Sequence, residues 1–89
     1  MINFIKVYDL DNYHYKIIRI DDIICVEEFF HASSNNKYST IKYNYLGEIT
    51  DLKVIESLEE IESLINLSGN NVFSIDRQEK KNEWIYYIR

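Results

Sequence analysis

The chain has 89 residues, 46% of them hydrophobic and 15% aromatic, with a formal net charge of −5, no proline and a single cysteine. That length holds one domain, residues 1–89, because smaller pieces bury too little surface to fold without staples. One cysteine excludes an internal disulfide, and the negative balance argues against simple phosphate-backbone binding, which needs clustered lysine and arginine.

The first run, INFIKVYDL, places Ile5 and Val7 on one face and Phe4 and Tyr8 on the other, the period of a strand. DLDN offers turn residues, and YHYKIIRI is a second strand, so the two predict an antiparallel hairpin. Asp21 and Asp22 break the alternation and suggest a single 3₁₀ turn. IICVEEFF then resumes as a third strand, apolar on both faces, which predicts a central or doubly covered position. HASSNNK is a loop, and YSTIKYNY and EITDLKVI are strands joined at Gly47, a hairpin signal because glycine accepts positive φ.

At residue 56 the period changes. Leu58, Ile61, Leu64, Ile65 and Leu67 follow helical spacing, Ser57 and Glu60 form a capping-box signature, and Gly69 closes a helix of about 57–68. VFSIDR, a charged QEKKN turn and the aromatic EWIYYIR read as a closing hairpin. The predicted fold is α+β, with about seven short, mainly antiparallel strands in a curved or partly closed sheet and one helix.

FIKVYDLDNYHYKIIRIDDIICVEE and STIKYNYLGEITDLKVIESLEEIESLI together resemble the small FlbD-like proteins of bacteria, over roughly residues 4–66. The matching positions are Ile5, Val7, Asp22, Ile24, Glu27, Gly47, Val54, Glu56, Ser57, Glu59 and Glu60. The chain departs from that pattern in lacking a glycine in the first turn and a proline before the Asp step, and in carrying a Ser/Asn loop and a C-terminal hairpin. The resemblance implies a flagellum-associated accessory protein without catalytic residues.

No constellation for catalysis stands out. Cys25 and His31 are six residues apart on one predicted strand, roughly 20 Å at about 3.3 Å per residue, so only His14 from a neighbouring strand would approach the thiol. Cys25 is expected to be buried and inert. His14 and His31 lack metal-ligand spacing, and the isolated glycines form no phosphate loop, so no metal, cofactor or enzymatic activity is expected. The start MINFIKVYDLDNYHYK shows no signal-peptide pattern and no apolar run suits a membrane span, which makes a cytoplasmic location the expectation. Abundant Ile, Asn, Lys and Tyr beside scarce Gly, Ala and Pro point to an A/T-rich genome, that of a low-GC bacterium or a phage or mobile element within one.

Two surfaces carry the functional expectation. Glu56, Glu59, Glu60 and Glu62 lie in or beside the helix without a lysine or arginine among them, and Asp21, Asp22, Glu27 and Glu28 add a second acidic group. They are either a solvated coat or a phosphate-like surface that docks on a basic, nucleic-acid-binding host protein, as an anti-defence inhibitor would. Trp84 and Tyr86 on the terminal strand, with Tyr13, Tyr15, Tyr43 and Tyr45 along one sheet face, form an aromatic set suited to protein contacts or to a homodimer through the last strand. The sequence thus predicts a non-enzymatic binding protein, with an assembly role as the alternative.

Overall fold

The computed structural model describes residues 4–30, 36–66 and 80–81. They form strands β1 (Phe4–Asp9) and β2 (His14–Arg19), a 3₁₀ turn (Ile20–Asp22), strands β3 (Ile23–Phe30), β4 (Lys37–Tyr45) and β5 (Glu48–Val54), and helix α1 (Leu58–Asn66). All neighbouring strands are antiparallel, in the order β2-β1-β5-β4-β3. The α+β class is as expected. Among the described residues there are five strands where the sequence predicts about seven, and the sheet is open. The predicted strands at 72–77 and 83–89, the Gly69 cap and the Ser/Asn loop centre lie outside the described residues. Lys80 and Lys81 are helical where the sequence predicts a turn.

The β1–β2 hairpin is closed by a buried carboxylate. Asp9 accepts hydrogen bonds from the backbone N–H of Asp11 (2.9 Å) and Asn12 (3.1 Å) and from the Asn12 amide (2.7 Å), and pairs with Lys16 at 3.3 Å. Burial alone would raise its pKa, but the hydrogen bonds from Asn12, then those of Lys16 and Asp11, outweigh it and hold the carboxyl below its ordinary value. A carboxyl depressed in the fold stabilises above its unfolded pKa of about 3.9 and loses that contribution as pH falls through the folded value. Urea midpoints measured from pH 7 down to pH 2.5 are therefore expected to fall on the acid side. Asp9→Asn should flatten that part of the profile; an unchanged profile in the variant would assign it to other carboxyls.

The sheet curls because its connectivity leaves no choice. In a flat sheet β2 and β3 would stand roughly 19 Å apart at about 4.8 Å per strand. The four steps from Arg19 to Ile23 reach at most about 14 Å. The two edges therefore converge at the 3₁₀ turn, and the irregularity between Ile23 and Cys25 in β3 adds bend there. β1 meets β5 squarely only at Asp9–Val54, with Leu10 N–H donating to the Lys53 carbonyl (2.9 Å) and Ile55 N–H to the Tyr8 carbonyl (3.1 Å) beside it.

The concave face holds the main core: Ile5, Val7, Ile18, Ile41, Tyr43, Leu52 and Val54, roofed by Ile61 and Leu64 of α1. A second cluster of Tyr8, Leu10, Tyr38 and Ile55 lies apart from it, with Phe29 stacked on Tyr38 at 5.5 Å between centroids. The capping box forms as predicted, Ser57 N–H donating to Glu60 Oε1 (3.0 Å) and Glu60 N–H to Ser57 Oγ (3.2 Å). Glu28 adds a third contact by accepting the Leu58 N–H at 3.2 Å.

Three expectations are corrected. Among the described strands β3 lies at an edge, since β5 takes the central position by pairing with both β1 and β4, and Ile24, Cys25 and Phe30 are exposed. Cys25 is therefore not a buried residue. Tyr15 and Tyr43 do not share a face: Tyr15 sits opposite Tyr8, whereas Tyr43 belongs to the concave core.

Candidate functional site

The predicted acidic surface is divided by the fold. Glu56 and Glu60 are 1% and 4% exposed, so neither belongs to a docking face. The Glu56 carboxylate turns inward and accepts the Tyr8 N–H through both oxygens, at 3.0 and 3.2 Å. Glu60 completes the helix cap and lies 4.0 Å from the ammonium of Lys80. Glu59 and Glu62 stay exposed on α1. Asp21 and Asp22 flank Arg19 at 3.9 and 4.0 Å, and Asp21 is largely solvated. Trp84 and Tyr86 fall outside the described residues.

Lys80 is the residue that sequence reasoning most misjudged. It is fully buried, where the sequence reads as a charged turn. Its ammonium donates to the carbonyls of Lys37 and Ile55 and sits 4.7 Å from the centre of the Tyr38 ring. The Tyr38 hydroxyl donates back to the Lys80 carbonyl at 3.0 Å. Lys81 caps Tyr8 at 4.0 Å from its ring centre, and Lys6 caps Tyr15 at 4.8 Å. Lys80 and Lys81 thus pack on the second apolar cluster through Tyr38 and Tyr8.

His14 and Cys25 lie on β2 and β3, at opposite ends of the strand order among the described residues, and not on neighbouring strands as expected. His31 is outside the described residues. Among the described residues no group of three or more His, Cys, Asp and Glu is arranged to hold a metal, and no helix there is long and apolar enough to cross a membrane.

The concentrated unexplained feature is the open end of the curled sheet. There the β4–β5 turn runs through Leu46 at φ 52° and Gly47 at φ 85°, two consecutive positive values that define a tight hairpin of the primed kind. Asn44 Oδ1 accepts the Gly47 N–H at 3.1 Å and fixes the turn. Such a turn favours Asn, Asp or Gly at its first central position, and a leucine there carries backbone strain. Leu46 is also 86% exposed. Phe4, Ile17, Tyr45 and Ile49 are exposed on the adjoining strand ends.

Beside the tip, β2, the 3₁₀ turn and the ends of β4 and β5 enclose a cleft of about 490 Å³. Phe4, Ile17, Tyr43 and Tyr45 line it together with the charged Lys16, Arg19 and Asp22. Tyr43 and Tyr45 are tilted against each other at 6.2 Å. An apolar, aromatic hollow of this size with a few polar groups suits recognition of a small molecule or of a partner's side chains. The signal in the sequence was leucine in YLGE, at a position that hairpin chemistry assigns to other residues.

No family model, curated protein or solved structure matches this chain, so the FlbD-like resemblance stays an expectation from its motifs.

Proposed function

We propose that this chain is a non-enzymatic binding protein whose contact with another protein is made at the open end of the sheet, with the β4–β5 tip as anchor. The observation that carries this reading is Leu46, which combines a left-handed backbone with nearly complete exposure. The left-handed backbone costs stability at a leucine. Strain held at an exposed site is characteristic of functional surfaces, and the adjacent exposed Tyr45 is of a residue type enriched where proteins meet.

Two measurements test it. Leu46→Asn is expected to raise stability by about 0.5–1 kcal/mol, because asparagine tolerates the left-handed region that leucine resists. A photo-crosslinking residue at position 46, expressed in the native host, should trap one discrete protein. The same residue at position 11 or 62 should not, and equal trapping at all three positions would sink the reading.

The acidic-surface alternative, an inhibitor occupying a basic groove, keeps Glu59 and Glu62 on α1, and Asp21 and Asp22 near the 3₁₀ turn. Its support is weaker, since two of its four helix-associated glutamates hold the fold together.

A further inference from the structure

We infer that the convex face of the β1–β2 hairpin binds single-stranded nucleic acid, with bases on its aromatic rings and phosphates on Lys6 and Lys81. The register sets Phe4 opposite Arg19, Lys6 opposite Ile17 and Tyr8 opposite Tyr15. Alternation turns these six side chains away from the face that holds Ile5, Val7 and Ile18 in the core. None of the six is an acid, in a chain with 15 acidic residues against 10 basic ones. Tyr8 is covered and the other five are exposed, Phe4 at 52% and Tyr15 at 48%. Tyr13, in the adjoining turn, adds a third ring that is 52% exposed.

The two lysines give this face its sign. Lys6 stands 4.8 Å from the centre of the Tyr15 ring, and Lys81 stands 4.0 Å from Tyr8 and 5.8 Å from Tyr15. Tyr8 and Tyr15 meet edge to face at 5.1 Å, so both ammoniums lie on one aromatic pair. The ion pairs among the described residues engage Lys16, Arg19, Lys42 and Lys80, and neither Lys6 nor Lys81 is in that set. Arg19 already faces Asp21 and Asp22 and is assigned no phosphate. Two neighbouring cations without carboxylates, set among exposed rings, match a polyanion that carries flat π surfaces. An acidic peptide has the charge and lacks the bases. A base–aromatic stack is worth more than an exposed cation–π contact, so a base takes the Tyr15 ring and Lys6 swings to the adjoining phosphate. The net charge of −5 still opposes a duplex, whose affinity comes from many phosphates at once. A single strand held by stacking needs few.

Fluorescence anisotropy of the full chain with a labelled oligothymidylate dodecamer tests it. With two phosphates neutralised, affinity should fall about 25-fold for a tenfold rise in salt, from a slope of about −0.7 per phosphate on a single strand. Lys6→Gln and Lys81→Gln should each reduce that fall to about fivefold, whereas Lys53→Gln on β5 should leave it unchanged. Tyr15→Ala and Phe4→Ala should each weaken binding by about tenfold, in variants whose circular dichroism confirms that they are folded at the assay temperature. A duplex of the same length should bind more weakly by about tenfold or more. The inference is overturned if the oligothymidylate does not bind at low salt, if the duplex binds equally well, or if both ring variants bind as the parent does. Displacement of the strand by an equal concentration of a glutamate-rich peptide would also overturn it, and would make this face a site for an acidic protein. The crosslink from position 46 tests a separate contact, so either proposal stands or falls without the other.

Discussion

Replacing Lys80 with methionine is expected to cost about 3–5 kcal/mol of stability, the range measured when one partner of a buried charged pair is removed. Methionine fills much of the same volume, so the loss reports the ammonium and not a cavity. Without it the carbonyls of Lys37 and Ile55 lose a charged donor, and the Glu60 carboxylate loses the ammonium 4.0 Å away. The π face of Tyr38 loses the cation as well. Urea denaturation at pH 7 measures the effect. Adding Glu60→Gln should recover about 1–2 kcal/mol of it, because the amide needs no counter-charge, and the double-mutant cycle isolates that coupling. A loss below about 1 kcal/mol in Lys80→Met would mean that the ammonium is solvated and the anchoring described here is absent.

The difficulty of foreseeing Lys80 shows where sequence reasoning reaches and where it stops. The capping box at Ser57 and Glu60 was legible because its partners are three residues apart and its chemistry is local. The β1–β2 and β4–β5 hairpins were legible for the same reason: alternation flanks short turns rich in Asp, Asn or Gly. The place of β3 was not, because strand order depends on β1 meeting β5, a pairing across 45 residues that no local pattern encodes. Glu56 read as a solvated acid because a glutamate beside a helix start usually is one. Its role depends on an unpaired N–H of Tyr8, 48 residues away. Lys80, in a run of charged residues, carried every mark of a surface turn. At the candidate site, the leucine before Gly47 was visible in the sequence, but its meaning required the φ value that makes it a strained and exposed residue.

Glu56→Ala is the second substitution expected to have a large effect, about 3 kcal/mol, and its cause differs from that of Lys80. The strand ladder between β1 and β5 ends after Ile55, and there the chain turns away toward α1. Tyr8 then has a buried N–H with no strand carbonyl opposite, and the Glu56 carboxylate supplies the missing acceptor with both oxygens. A buried donor left without a partner costs about 1–3 kcal/mol, and the side-chain void adds to it. Glu56→Gln separates the two contributions: the amide oxygen still accepts and the volume is conserved, so a loss of only about 1 kcal/mol is expected. Amide exchange at Tyr8 gives the local readout. It should accelerate strongly in Glu56→Ala and modestly in Glu56→Gln, while the Ser57–Glu60 cap keeps the first turn of α1 protected in both. Equal losses in the two variants would show that the charge, and not the acceptor geometry, is what β1 requires.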